Sequence, residues 1–96
     1  MFESLYDLSE KAEVHFVGCV TDQARYDFSI IYTKQFFGKP LVICMQTGNS
    51  TLLCANDLKN PDSLKRTFRL RDLQAAEELR LLLTHRLPEL EMGDQY

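Results

Sequence analysis

The 96-residue sequence lacks the long apolar run that a membrane-spanning helix needs. No apolar stretch approaches the roughly 20 residues that cross a bilayer. The first residues, MFESLYDLSEKAE, have neither the basic start nor the apolar core of a secretory signal. We therefore expect a cytoplasmic protein without membrane association.

Cysteine is scarce and odd in number, and the usual metal-binding spacings are missing. Cys19, Cys44 and Cys54 each lie within an apolar run, which is typical of reduced, buried thiols in a cytoplasmic protein. There is no CxxC, no HxxxH and no acidic loop of calcium-binding spacing. His15 lies about 13 Å from Cys19 along a predicted strand, too far to share a zinc ion. We expect no metal and no cofactor.

Signatures of catalysis and of phosphate binding are missing as well. GNST lacks the Gly-Lys-Ser/Thr of a phosphate loop, and no GxGxxG occurs. The two histidines, His15 and His85, are not brought together by anything in their spacing. Cys44 and Cys54 lie in apolar surroundings, which disfavour the reactive thiolate. The sequence does not exclude acid–base catalysis by paired carboxylates, although nothing singles out a particular pair. The carboxylates in or near predicted loops are Asp7, Asp22, Asp27 and Asp57. We expect that the protein is not an enzyme.

The composition is that of one small globular domain. A chain of this length fits a single core, so we expect one domain over residues 1–96. With 45% hydrophobic residues it can bury that core without metals or disulfides. The net charge of -3 argues against nonspecific attraction to nucleic acid or anionic lipid by the molecule as a whole.

Alternating apolar residues predict strands within residues 13–71. In the second segment Tyr26, Phe28, Ile30 and Tyr32 share one face. Gly48 lies in TGNS, which suits a tight hairpin with a positive φ. The five predicted strands are EVHFVGCV, RYDFSIIYT, PLVICMQ, STLLCA and LKRTFRL.

A leucine-rich stripe predicts one helix over residues 72–87. Asp72 is the expected N-cap, Pro88 ends the helix, and residues 88–96 form a frayed tail. Short connections then favour an α+β fold, an antiparallel meander of four to five strands with this C-terminal helix packed on it. The alternative to an open sheet is curling toward an SH3-like barrel.

The stretch QFFGKP, between the second and third strands, predicts a hydrophobic corner. By alternation Phe36 faces the core with Tyr32, and Phe37 faces the opposite side of the sheet. Ile31 and Val42 also fall on a face that one helix cannot cover. Either the sheet curls, or this face meets a second subunit. We favour a homodimer, with Phe37, Ile31 and Val42 as its interaction residues.

The segment LKRTFRLR carries the one local excess of positive charge. If it is a strand, Lys65, Arg69 and Arg71 line one face beside an aromatic residue, as in some binders of single-stranded nucleic acid. A solvated edge strand, whose positive charge discourages aggregation, explains the same pattern. We favour the second explanation.

Several stretches together resemble a known family. They are LYD near the start, VHFVG, RYDFSIIYTKQFFGKPLVI, and NDLKNP followed by an F-x-L segment and a Glu-rich helix. They resemble a small family of uncharacterised proteins from Gram-positive, Bacillus-type bacteria, known as a domain of unknown function. The most specific part is YT-x-x-F-[FY]-G-K, from Tyr32 to Lys39. The resemblance spans residues 5–87 and implies a cytoplasmic protein of similar length. It supplies no activity, so it assigns no catalytic residue.

Three function classes follow, in decreasing order of preference. The first is a non-enzymatic cytoplasmic interaction module of unknown pathway that self-associates, with an unidentified protein partner as a further expectation. The second is a weak binder of single-stranded nucleic acid through Lys65, Arg69 and Arg71. The third is a small-molecule sensor with a pocket between helix and sheet.

Overall fold

The computed structural model describes residues 3–89 and shows an α+β fold. Four antiparallel strands form one sheet in the order β1-β2-β3-β4, so the predicted meander is confirmed, and the sheet stays open instead of closing into a barrel. The predicted tail beyond residue 89 lies outside the described residues. The strands are β1 (Glu13–Val20), β2 (Arg25–Tyr32), β3 (Leu41–Cys44) and β4 (Ser50–Leu52); the helices are α1 (Pro61–Phe68) and α2 (Leu73–Leu83).

One face of the sheet packs under both helices and forms the core. Phe28 and Ile30 on β2 are fully buried, as the alternation of β2 predicts. The ring of Phe28 meets the ring of Phe68 from α1 edge-on, with centroids 5.4 Å apart. The hairpin between β3 and β4 turns at Gly48, whose φ of 76° confirms the predicted positive value.

Helix α2 begins where the sequence predicts. The side chain of Asp72 accepts a hydrogen bond from the Ala75 N–H at 2.8 Å, which satisfies one of the backbone donors left over at a helix start. The helix ends at Leu83, four residues before the predicted end, yet Leu87 remains buried against the core. Among residues 3–89, neither helix has the length or the apolar composition needed to cross a membrane.

The predicted fifth strand over residues 64–71 is wrong, because the chain forms helix α1 there. The Asn60 side chain accepts a hydrogen bond from the Asp62 N–H at 3.1 Å, and Pro61 occupies the first turn, where its missing N–H costs nothing. Leu64 and Phe68 lie four residues apart, so in a helix they share the face that packs into the core. The chain then leaves α1 after Phe68.

Candidate interaction surface

The sheet face turned away from the helices, called here the open face, carries a cluster of apolar side chains. Directly paired residues share a face, so the register places Val14 beside Ile31 and Ile31 beside Leu41. In the next row Phe16 lies beside Ser29. The apolar residues of the open face in these rows are Val14, Phe16, Ile31, Leu41, Ile43 and Leu52.

Strand β1 leaves its large open-face side chains in solvent. Phe16 is 71% exposed and Val20 is 74% exposed, whereas Phe28 on the covered face is fully buried. Strand β1 is also an edge of the sheet, and its sequence contains no lysine and no proline. Natural proteins commonly use such residues to guard an exposed edge. The open face therefore combines exposed apolar area with an unguarded edge.

The other end of the open face is polar but carries no net charge. Arg25 Nε lies 3.2 Å from Asp27 Oδ2, and Gln46 Nε2 donates to the same oxygen at 2.6 Å. The hydrogen bond from Gln46, and after it the one from Arg25, lowers the pKa of Asp27 below its usual value. The base and the acid are thus paired within one molecule.

An N-terminal segment flanks the apolar end of the open face. Tyr6 and Leu8 line a groove of about 480 Å³ together with Ile31. Glu10 fixes this segment, since its carboxylate accepts hydrogen bonds from the Thr33 hydroxyl and from the Lys34 N–H. The hydrogen bond from Thr33, and after it the one from Lys34, lowers the pKa of Glu10. The groove is open to solvent beside the corner between β2 and β3.

That corner is a left-handed turn of three consecutive residues. Phe36, Phe37 and Gly38 have φ values of 56°, 59° and 79°. The left-handed region costs a residue with a side chain about 1–2 kcal/mol, and bulky residues rarely occupy it. Both phenylalanines also leave substantial area in solvent, 44% for Phe36 and 67% for Phe37. The sequence thus keeps two large aromatics in a costly conformation at the surface.

The prediction that Phe36 is a core residue is wrong. Strand β2 ends at Tyr32, so the alternation that assigned Phe36 to the core does not continue into the turn. Phe36 instead lines the groove on the open face together with Leu41. Phe37 is 67% exposed at the same corner, and its role as an interaction residue stays a prediction.

Contacts with the following segment hold the chain where it leaves the corner. The Lys39 N–H donates to the Phe36 carbonyl at 3.2 Å, and Lys39 Nζ lies 3.3 Å from Asp57 Oδ2. Asp57 also accepts from the Cys54 N–H at 2.8 Å. Burial acts to raise the pKa of Asp57, but the hydrogen bonds from Cys54 and Lys39 outweigh it and the net shift is downward.

The placement of Val42 on the uncovered face is wrong. Val42 is fully buried and pairs with Ile30 and Thr51 on the face covered by the helices. The run LVIC is apolar throughout, so its sequence does not show which residues face the core. The pairing with β2 and β4 places Leu41 and Ile43 on the open face. Ile31 and Leu41 therefore occupy the surface that was expected to include Val42.

The model of the SAV0927-like family matches residues 5–85. The chain belongs to the SAV0927-like family. This confirms the predicted resemblance to a small uncharacterised family, and membership assigns no activity. A search of curated proteins finds no match.

The basic residues of this SAV0927-like chain do not form the predicted stripe. Lys65 lies within α1, and Arg69 follows the helix in a left-handed conformation with a φ of 55°. Arg71 Nη1 reaches the Gln23 carbonyl at 3.4 Å. The nucleic-acid hypothesis requires these three basic side chains on one face of a strand. Because the segment forms helix α1, they do not share such a face.

The fold of this family member brings together two histidines that the sequence leaves apart. His15 from β1 and His85 from the segment after α2 line one cleft with Glu13, Tyr32 and Arg86. Within residues 3–89 no group of three or more His, Cys, Asp or Glu side chains is placed to hold a metal ion. Cys44 and Cys54 are buried, and burial raises the pKa of the half-buried Cys19.

Proposed function

We propose that the protein is a non-enzymatic interaction module of the bacterial cytoplasm that self-associates through its open face. The observation that carries this proposal is the contrast between the two faces of the sheet. Two helices pack on one face and bury Phe28 and Ile30 fully, while Phe16 and Val20 on the other face remain mostly in solvent. Contiguous exposed apolar area on a small soluble protein commonly marks a site of association.

A second copy of the chain fits this face better than a charged partner. Of the residues that the described strands β1 to β4 place on this face, the charged ones, Arg25 and Asp27, are paired with each other. These strand residues therefore offer no net charge to select a basic or an acidic partner, and they add no like-charge repulsion between two copies. The unguarded edge at β1 adds backbone groups to which an identical strand can pair.

The corner supports the same proposal. Strained backbone conformations persist where the surrounding structure enforces them, and they concentrate at binding sites. Phe36 borders the groove of the open face, and Phe37 is its neighbour in the turn. An exposed aromatic held in a fixed turn is a suitable interface anchor, because little side-chain and loop freedom is lost on docking.

Analytical ultracentrifugation of two matched variants tests the proposal. Phe16→Glu places a carboxylate on the exposed β1 side of the open face, whereas Leu81→Glu makes the same kind of change at a residue of α2 that is 56% exposed. We expect the wild type and Leu81→Glu to show the same concentration-dependent association at micromolar protein. Phe16→Glu should be monomeric, because apposed copies would bury unpaired carboxylates.

Two results would contradict self-association through this face. One is a wild-type protein that stays monomeric up to the highest soluble concentration. The other is equal association by both variants, which would place the contact elsewhere. Far-ultraviolet circular dichroism of each variant confirms that the comparison is made between folded proteins.

A further inference from the structure

A cleft at the junction of the sheet and the end of α2 has the features of a small-ligand site. It has a volume of about 470 Å³ and is lined by groups from three parts of the chain. Strand β1 provides two of them, strand β2 one, and the segment after α2 the other two. The lining residues are Glu13, His15, Tyr32, His85 and Arg86. This cleft is separate from the open face, since Glu13 and His15 lie on the opposite side of β1 from Phe16.

The guanidinium of Arg86 is held in a fixed position in this cleft. Its Nε donates to His15 Nε2 at 3.0 Å, and its Nη1 donates to the Leu82 carbonyl. The Tyr32 hydroxyl donates to the Arg86 carbonyl at 2.7 Å, which fixes the backbone as well. Arginine has five N–H donors, and among residues 3–89 the two on Nη2 have no hydrogen-bond partner, so they can bind a carboxylate or a phosphate. A positioned guanidinium loses little side-chain freedom when it binds such a group.

Glu13 supplies the opposite charge without neutralising Arg86. Both residues line the cleft, but within residues 3–89 no ion pair at 4.0 Å or less joins them. The proximity of Glu13 raises the pKa of Tyr32 after the larger effect of burial, while Arg86 acts to lower it. The charges of Glu13 and Arg86 therefore both act on the Tyr32 hydroxyl.

The balance of charge decides which ligand fits. Among the side chains that line the cleft, Glu13 carries a negative charge and Arg86 a positive charge. Arg86 would attract a simple anion and Glu13 would repel it. A simple cation would be attracted by Glu13 and repelled by Arg86. A molecule that carries both charges satisfies the two residues at once.

We propose that this cleft binds a small zwitterion of the free α-amino-acid class. The carboxylate of the ligand accepts hydrogen bonds from Arg86 Nη2, and its ammonium group pairs with the Glu13 carboxylate. His15 orients Arg86 through the bond at Nε, and His85 lines the wall beside the ligand. The proposal does not depend on self-association, because the cleft and the open face lie on opposite sides of the sheet.

Amide chemical shifts of the ¹⁵N-labelled full chain give the test, with single free amino acids as probes at millimolar concentration. Each active amino acid is compared with its N-acetyl derivative, which lacks the ammonium group, with its amide, which lacks the carboxylate, and with inorganic phosphate. We expect saturable shifts around His15 and His85 with at least one free amino acid. Either derivative should bind at least about tenfold more weakly, the effect of losing one charged hydrogen-bond pair.

Two variants and their matched controls complete the experiment. Arg86→Gln and Glu13→Gln should each weaken binding at least about tenfold, while Arg66→Gln and Glu78→Gln, which remove the same charges at exposed residues elsewhere, should not. Three outcomes would overturn the proposal. They are no saturable shift with any amino acid, equal loss in the control variants, and phosphate binding that needs Arg86 but not Glu13, which would indicate a simple anion site.

Discussion

Phe68→Ala should lower the free energy of unfolding by about 3–5 kcal/mol, the usual cost of truncating a fully buried phenylalanine. Phe68 is completely buried, and its ring contacts that of Phe28 at an interplanar angle of 78°. The substitution removes the side chain that joins α1 to the sheet and leaves a cavity between them. A domain of this size has roughly 5–15 kcal/mol of stability in total, so the loss is a large fraction of that stability.

Urea unfolding followed by circular dichroism measures this effect. Leu73→Ala is the matched control, because Leu73 lies at the start of α2 with 49% of its surface exposed. It should change the free energy by no more than about 0.5 kcal/mol. A loss below about 1 kcal/mol in Phe68→Ala would mean that α1 is not packed on the sheet as described.

Phe37→Gly should weaken association without lowering the stability of the monomer. Glycine occupies the left-handed region without the 1–2 kcal/mol or so that a side chain costs, although it loses about 0.5–1 kcal/mol more backbone entropy on folding. The monomer should therefore keep its stability or gain up to about 1.5 kcal/mol. Association should weaken by about 2 kcal/mol, or roughly thirtyfold, if Phe37 is an interface anchor.

Phe37→Asn separates these two contributions. Asparagine tolerates the left-handed region better than phenylalanine but has no aromatic ring, so association should weaken as much as in Phe37→Gly. Thermal melts at low concentration report on the monomer, and sedimentation reports on the complex. Unchanged association in both variants would remove Phe37 from the interface, and a stability loss above about 2 kcal/mol would make it a structural residue.

The parts of the fold that depend on local pattern were predictable from the sequence. The alternation in β2 identifies the buried face around Phe28, and Asp72 marks the start of α2 because a side-chain oxygen there meets unsatisfied backbone donors. The strand prediction over residues 64–71 is wrong although the segment from residue 61 to residue 68 carries helix signals. Asn60 followed by Pro61 is a strong helix start, and Leu64 with Phe68 has helical spacing.

The candidate site was predictable only in part, because it depends on register and backbone conformation. Phe37 and Ile31 remain on exposed or partly exposed surface, whereas Val42 lies in the core because the pairing with β2 sets which face it takes. The left-handed turn at Phe36 cannot be read from residue types that normally avoid it. The meeting of His15 with Arg86 depends on tertiary packing across 71 residues of sequence.

Isotope-filtered nuclear Overhauser spectroscopy on an equal mixture of labelled and unlabelled protein tests most directly whether two copies meet through the open face. The experiment detects only protons of one copy that lie close to protons of another. The proposed association predicts intermolecular signals from Val14, Phe16, Ile31 and Leu41. Intermolecular signals confined to exposed helix residues such as Leu73 and Leu81, or none at a concentration where sedimentation shows association, would contradict it.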